Sequence, residues 1–231
     1  METNTAIVTG GTGALGRVVA AALINSGIRV AIPLRAGSRA EALPVESGMV
    51  LRREADITSE SGGAEFVRET ARLWGGVGIL VNCAGAYAGG ERIGEVKTST
   101  LEEMIGANLR TAFVMCGAVL PLMRGARRGR IVSITAMAAL SPSAARGAYA
   151  IAKGGVVTLT QTIAEEVKGT GITANAIAPG IIDTASNRAS MPAADFSRWV
   201  APGEIASLIL FLCSEGARSI NGNVIKVYGG L

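Results

Sequence analysis

The 231-residue sequence predicts a doubly wound α/β fold of three layers, with one parallel sheet of about seven strands and helices on both faces. Three observations carry that expectation. Short β-branched runs alternate with longer helical stretches along the whole chain. Strand runs such as Ile79-Leu-Val81 are apolar without interruption, which suits strands covered on both faces. A glycine-rich turn, Thr9-Gly10-Gly11-Thr12-Gly13-Ala14-Leu15-Gly16, lies between the first strand and the first helix.

The elements follow in order. A strand is expected over residues 6–9, then a helix from near Ala14, then a strand over 29–34. A third strand over 49–53 leads to a helix from near Gly62 and a strand over 79–82. A helix from near Leu101 precedes a strand over 130–135, and a helix from near Arg146 precedes one over 173–178. A helix from near Pro202 and a strand over 223–227 close the series. The least regular segments are 84–97 and 183–201, and loops after strands at the carboxyl edge of such a sheet are where ligands bind. No repeat and no long linker divides the chain, so residues 1–231 are expected to form a single domain.

Composition excludes several classes of function. Hydrophobic residues are 49% of the chain, enough for a large core. The net charge of +4 is scattered, and its densest stretch is Arg124, Arg127, Arg128 and Arg130. That is too short for a nucleic-acid arm and reads as a solvated surface, although it would also favour phosphorylated ligands. Cys83, Cys116 and Cys213 have neither metal nor disulfide spacing, so a reducing compartment, the cytoplasm, is expected and no metal site is. There is no histidine, which rules out a Ser-His-Asp triad, a Cys-His pair and any His-ligated metal. A general acid must then be Tyr, Lys, Asp, Glu or Cys. A strand is already expected from Thr5, so no leader is expected, and no apolar run is expected to reach the roughly 18 residues of a membrane helix.

Two motifs carry chemistry. In the glycine-rich turn the backbone can approach a diphosphate, and the following helix offers free N–H groups and a partial positive charge. Gly11 to Gly16 also matches the spacing of a nucleotide-triphosphate loop, but Arg17 and Val18 stand where Lys and a hydroxyl are needed. In Tyr149-Ala-Ile-Ala-Lys153 the i and i+4 side chains share a helix face. An ammonium beside a phenol would lower its pKa from about 10 and make it a workable acid and base. Alone, the pair is better read as two residues lining a helix.

In sequence order, Thr9-Gly10-x3-Ala14-x-Gly16, Asn82-Cys-Ala84-Gly85, Asn108, Tyr149-x3-Lys153 and Pro179-Gly180-x3-Thr184 resemble the short-chain dehydrogenase/reductase family, from Thr5 to the terminal Gly222-Asn-Val-Ile-Lys-Val-Tyr-Gly-Gly230. The resemblance implies a Rossmann fold, a dinucleotide cofactor and hydride transfer to or from a carbonyl substrate of the ketone or 3-oxoacyl type. It implies that Gly10, Thr12, Gly13, Leu15 and Gly16 hold the cofactor's diphosphate and adenosine. Asp56 and Ile57 would meet the adenine, and Asn82, Ala84 and Gly85 would line the ribose. Pro179, Gly180, Ile182 and Thr184 would flank the nicotinamide. Tyr149 would give or take the proton, Lys153 would bind the nicotinamide ribose and tune Tyr149, and Asn108 would hold a water linking Lys153 to solvent. Asn108 also reads as a buried polar group at a helix kink. A dimer or tetramer is implied, with Gly154-Gly155 permitting close approach of helices or subunits.

Two departures shape the expectation. The family usually places a catalytic Ser thirteen residues before the Tyr, and Ala136 stands there. Ser133 and Thr135 do not replace it simply, since strand neighbours alternate in direction, while Ser141 and Ser143 lie in the following loop. Dihydropteridine reductases resemble this chain in lacking that Ser, so reduction of a quinonoid or imine substrate is one alternative and a non-catalytic redox sensor another. The second departure is at the end of the second strand, where an acid would bind the 2′-hydroxyl of NAD. Leu34 occupies that position, and Arg35, with Ser38 and Arg39 nearby, would hold a 2′-phosphate, so NADP(H) is expected over NAD(H). The segment after Thr184 should cover a small-molecule substrate; Arg188 there would pair with a carboxylate or simply lie at the surface.

Overall fold

The computed structural model describes residues 4–37 and 48–230. Seven parallel strands form one sheet: β1 (Thr5–Thr9), β2 (Arg29–Leu34), β3 (Val50–Glu54), β4 (Ile79–Asn82), β5 (Gly129–Ile134), β6 (Ile172–Pro179) and β7 (Val224–Val227). Their order is β3-β2-β1-β4-β5-β6-β7. β1, β4, β5 and β6 are buried at every residue, as their uninterrupted apolar runs require. The outer strand β3 carries Arg52, Arg53 and Glu54 and is exposed at its carboxyl end.

Helices cover both faces. α1 (Ala14–Asn25) and α8 (Pro202–Cys213) pack on one side with Val19, Leu23, Ile205 and Ile209. α2 (Glu60–Trp74), α4 (Thr111–Ala126) and α6 (Gly147–Glu166) pack on the other, around Phe66, Met115, Met123 and Ile163. Local signals set their limits. The Ser59 hydroxyl accepts the Gly62 N–H and starts α2, and Gly75, at φ 84°, ends it in the left-handed region. Pro202 begins α8, and the Glu204 carboxylate accepts the Ala201 N–H.

α3 (Thr98–Met104) runs through a π-helical segment, Ile105–Arg110, directly into α4. By length and composition this 29-residue run is apolar enough to cross a membrane, with mean hydropathy 1.4, which corrects the expectation that no such run exists. Core packing accounts for its composition, because Met104, Met115, Val119 and Met123 are buried. Two short helices, α5 (Met137–Leu140) and α7 (Ala185–Ser190), lie in stretches where the sequence shows no periodicity.

Strand order reverses between β1 and β4. β2 and β3 lie to one side, β5, β6 and β7 to the other. The crevice outside the carboxyl ends of β1 and β4 is the switch point at which an open α/β sheet binds ligands.

Candidate active site

The turn after β1 is fixed by its glycines. Gly10 sits at φ 65°, and its carbonyl accepts the Gly13 N–H at 2.9 Å. A Cβ on Gly10 would lie 2.8 Å from the Ala84 backbone, and one on Gly16 would lie 2.1 Å from the Gly10 oxygen. The Ala84 N–H donates to Thr9 Oγ1 at 3.1 Å, so the turns after β1 and β4 close on each other. No side chain caps α1 and no acid stands in its first turn. Thr12, Gly13 and Ala14 are exposed there, while Leu15 is half-buried against the core. Uncapped N–H groups beside an open crevice fit a dinucleotide's diphosphate.

α6 presents Tyr149 and Lys153 at the same edge of the sheet. Lys153 is buried, 5% exposed, and its ammonium donates to the Ile134 carbonyl at 2.9 Å. Burial lowers its pKa to about 8. Its Nζ is 6.0 Å from the centroid of the Tyr149 ring. Burial pushes the Tyr149 phenol up to about 12, Tyr87 adds to the rise, and Arg146 opposes it. This corrects the expectation that Lys153 lowers the Tyr149 pKa. The phenol is taken out of water, and the cation whose charge opposes the rise is Arg146, one turn before it on the helix.

Gly85 brings three groups together: a Cβ there would lie 2.6 Å from Asn108 Oδ1 and 3.2 Å from Lys153 Nζ. Asn108 is buried in the π-helical segment. Its amide donates to the carbonyls of Met104 (2.9 Å) and Ala86 (3.0 Å), and its Oδ1 accepts the Ala86 N–H. The side chain thus pins the loop after β4 to the helix, the arrangement of a polar kink. Asn82 points into the layer between strand and helix, where its amide donates to Ser133 Oγ at 3.1 Å and Cys116 Sγ at 3.4 Å.

Ala136 follows β5 with extended backbone and is buried beside Ala138, Ala150 and Tyr149. The neighbouring hydroxyls are engaged. Ser133 Oγ accepts from Asn82, and Thr135 Oγ1 donates to the Lys153 carbonyl at 2.8 Å. Ser141 and Ser143 are exposed in the loop beyond.

Pro179 and Gly180 lie at the carboxyl end of β6, where the Gly180 N–H donates to the Val227 carbonyl. A single bridge between Ile182 and Val200 closes the base of the segment over residues 183–199. Within it the Thr184 hydroxyl caps α7. Arg188 makes two hydrogen bonds to Asp183, at 2.6 and 2.7 Å, and stacks on Phe196 at 4.7 Å, so it is already committed inside the segment.

On the adenosine side, Arg35 is exposed just after β2, and Ser38 and Arg39 lie outside the described residues. Asp56 accepts from the Thr58 N–H and hydroxyl, bonds that hold its pKa below the usual value. Ile57 packs against the core.

Three residues at the site escaped the sequence reading. Glu54 lies opposite Leu34 in the β2–β3 register and accepts the Gly37 N–H at 3.3 Å, which brings a carboxylate from the next strand to the place where β2 lacks one. Tyr87 sets its ring edge-on to Tyr149, with centroids 5.0 Å apart, and is 60% exposed. Arg146 caps α6. The spacing of three between Arg146 and Tyr149 was a usable signal, since an N-cap residue and the third helical residue lie close across a helix start.

Comparison with known proteins matches residues 4–195 to the family described as short chain dehydrogenase. D-beta-hydroxybutyrate dehydrogenase of Rhizobium meliloti is 29% identical, with 99% of this chain and 98% of that protein covered. The 3-oxoacyl-[acyl-carrier-protein] reductase FabG of Aquifex aeolicus is 30% identical, with 100% and 98% covered. The solved structure "ElxO with NADP Bound" superposes with a TM-score of 0.91 at 26% identity, over 98% of this chain and 97% of that one.

Proposed function

The chain belongs to the short-chain dehydrogenase family, and from that premise we propose that it interconverts a ketone or 3-oxoacyl group and the matching alcohol, with NADP(H) as cofactor and Tyr149 as proton donor and acceptor. The observation that carries this reading is a run of close approaches from the glycine-rich turn to the phenol: Gly10 abuts Ala84, Gly85 abuts Lys153, and the Lys153 ammonium is 6.0 Å from the centroid of the Tyr149 ring. When bound, the cofactor supplies or accepts the hydride. Tyr149 gives its proton to the oxygen of the reduced carbonyl. The phenolate left behind is stabilised by Arg146, at the N-cap of α6 three residues before it. Asn108 keeps the loop carrying Gly85 and Ala86 against Lys153.

The turn from Gly10 to Gly16, with Thr12, Gly13 and Leu15, would hold the diphosphate and adenosine, and Asp56 and Ile57 would meet the adenine. Asn82, Ala84 and Gly85, with Lys153, would line the ribose. Pro179, Gly180, Ile182 and Thr184 would flank the nicotinamide, and residues 184–200 would cover the substrate. Arg35 and the apolar Leu34 favour the 2′-phosphate of NADP(H). Ala136 favours a second reading, reduction of a quinonoid or imine group that needs no hydroxyl at that wall. Residues 1–231 act as one unit in this reading, in the cytoplasm, as a homodimer or homotetramer. The exposed Phe113 and Ile151 on α4 and α6, 60% and 53% accessible, support assembly, as does the open space above Gly117 and Gly154. Gly155 instead fits against Leu109 within the chain.

The test is Tyr149→Phe, assayed for NADPH oxidation on a ketone panel and for NADPH binding by fluorescence. Turnover should fall by at least about 10³ while binding stays within about threefold, since the change removes a proton donor alone. Retention of wild-type turnover would sink the assignment.

A further inference from the structure

We propose that Arg146 selects the substrate by holding a carboxylate on the reacting ketone, so that the protein prefers short oxo acids to neutral ketones. This rests on the oxidoreductase reading above and names the substrate class of the same site.

Arg146 is the N-cap residue of α6, without a side-chain capping bond, and Tyr149 is the third residue of that helix, the two positions whose side chains lie close across a helix start. It is half-buried and forms no ion pair among the described residues. Arg68, Arg92 and Arg110 also form no ion pair among the described residues but are exposed and keep their hydration, while the half-buried Arg29 is bonded to the Trp74 carbonyl and stacked on its ring, and the half-buried Arg52 lies on the outer strand β3. A half-buried guanidinium with no counter-charge is costly, and an anionic ligand would offset that cost. Its charge reaches the reacting phenol, where it opposes the rise in pKa that burial causes.

Among the described residues, the other groups named beside Tyr149 bring no free cation. Ala136, Ala138 and Ala150 are apolar, Tyr87 presents a ring, Lys153 is turned to the Ile134 carbonyl, and Arg188 is taken by Asp183. The backbone around Arg146 is also held. The Gly90 N–H donates to the Ala145 carbonyl at 2.8 Å, Ala145 sits at φ 62°, and Gly147 abuts Ile93. A guanidinium on a fixed base suits a planar carboxylate, which it can hold with two parallel hydrogen bonds. On a helix, side chains three apart stand about 5–6 Å from each other at Cβ. With the ketone oxygen at Tyr149, a carboxylate one to three carbons away comes within reach.

The test uses pyruvate, acetoacetate and levulinate beside their methyl esters, on wild type, Arg146→Gln and Arg146→Lys. Steady-state kinetics with NADPH are measured together with calorimetric binding to the NADPH-loaded protein, and circular dichroism verifies folding. In wild type at least one acid should bind about 10- to 100-fold tighter than its ester, the range of a charge-assisted contact. Arg146→Gln should abolish that ratio, raising KM for the acid at least about tenfold more than for its ester, and be partly rescued by Arg146→Lys. Acid and ester bound equally by wild type, or a ratio unchanged in Arg146→Gln, overturns the proposal. Equal losses on acid and ester, with an alkaline shift of the pH profile, also overturn it, because Arg146 would then act through Tyr149 alone. Arg146-dependent acid binding without turnover of any ketone upholds the carboxylate site and removes the reductase reading instead.

Discussion

Replacing Lys153 with Met should make the protein more stable at neutral pH and less stable relative to wild type as pH rises. Lys153 is 5% exposed, and among the described residues its ammonium donates one hydrogen bond, to the Ile134 carbonyl. The fall of its pKa from 10.5 to about 8 is worth about 3 kcal/mol against the folded state wherever both states are protonated, which is below pH 8. Met removes that cost but leaves the Ile134 carbonyl short of a donor, a loss of about 1–2 kcal/mol. The net expectation is a gain of about 1–2 kcal/mol at pH 7.

The sign of the pH dependence follows from the lowered folded pKa. Between about pH 8 and 10.5 the folded wild type has lost this proton while the unfolded chain keeps it. Wild-type stability therefore climbs against the variant across that window, by about 2 kcal/mol between pH 7 and 9.5. Tyr149 is common to both proteins and its raised pKa costs stability only above pH 10, outside the measured range. Equilibrium urea unfolding of both proteins at pH 7 and 9.5 measures the difference directly. A stability difference that stays constant with pH, or a wild type that weakens relative to Lys153→Met, would refute the picture of a desolvated ammonium.

Three further outcomes are expected. Gly16→Ala places a Cβ 2.1 Å from the Gly10 oxygen, so NADPH affinity should drop by at least about tenfold, read by cofactor fluorescence. Arg35→Ala should weaken NADPH and spare NADH, whereas Glu54→Gln should tighten NADPH by removing a like charge near the 2′-phosphate; Kd values for both cofactors at matched salt settle this. Ala136→Ser should raise kcat/KM on simple ketones by up to about 10², approaching the usual worth of a preorganised donor. No gain beside robust wild-type ketone turnover would mean that another donor already serves.

The sheet was legible because its signal is local. All seven strands appear within two residues of their expected ends, since β-branched runs buried on both faces leave little choice of register. The irregular parts were not. The π-helical segment differs from an α-helix by one residue per turn and is held by the Asn108 bonds to Ala86, a contact 22 residues away in sequence. At the site, Tyr149 and Lys153 were found by spacing, yet their electrostatics were misjudged. Spacing places two charges but not the burial around them, and burial dominates both shifts. Arg188 invited a ligand role in the sequence, and the fold gives it to Asp183. Glu54 was invisible as a neighbour of Leu34 because strand pairing set that contact.

The polar groups at the end of β5 show why residue 136 matters more than one alanine suggests. Ser133 Oγ receives Asn82 from β4, the Ile134 carbonyl receives the Lys153 ammonium, and Thr135 Oγ1 donates to the Lys153 carbonyl. Three consecutive residues thus fix β4 and α6 against β5, and each is engaged in doing so. A hydroxyl at 136 would have been the first in that run available to a substrate. With Ala there, the wall beside Tyr149 is methyl groups from Ala136, Ala138 and Ala150, which can bound a substrate but not orient its oxygen. In the site proposed here, orientation comes from the ring of Tyr87 and the guanidinium of Arg146, both beside Tyr149. A neutral ketone meets Tyr149 with one donor and no second anchor in such a site. A substrate with its own charge brings the anchor with it, and the energy of that contact can hold the carbonyl against Tyr149 as the missing hydroxyl would have done.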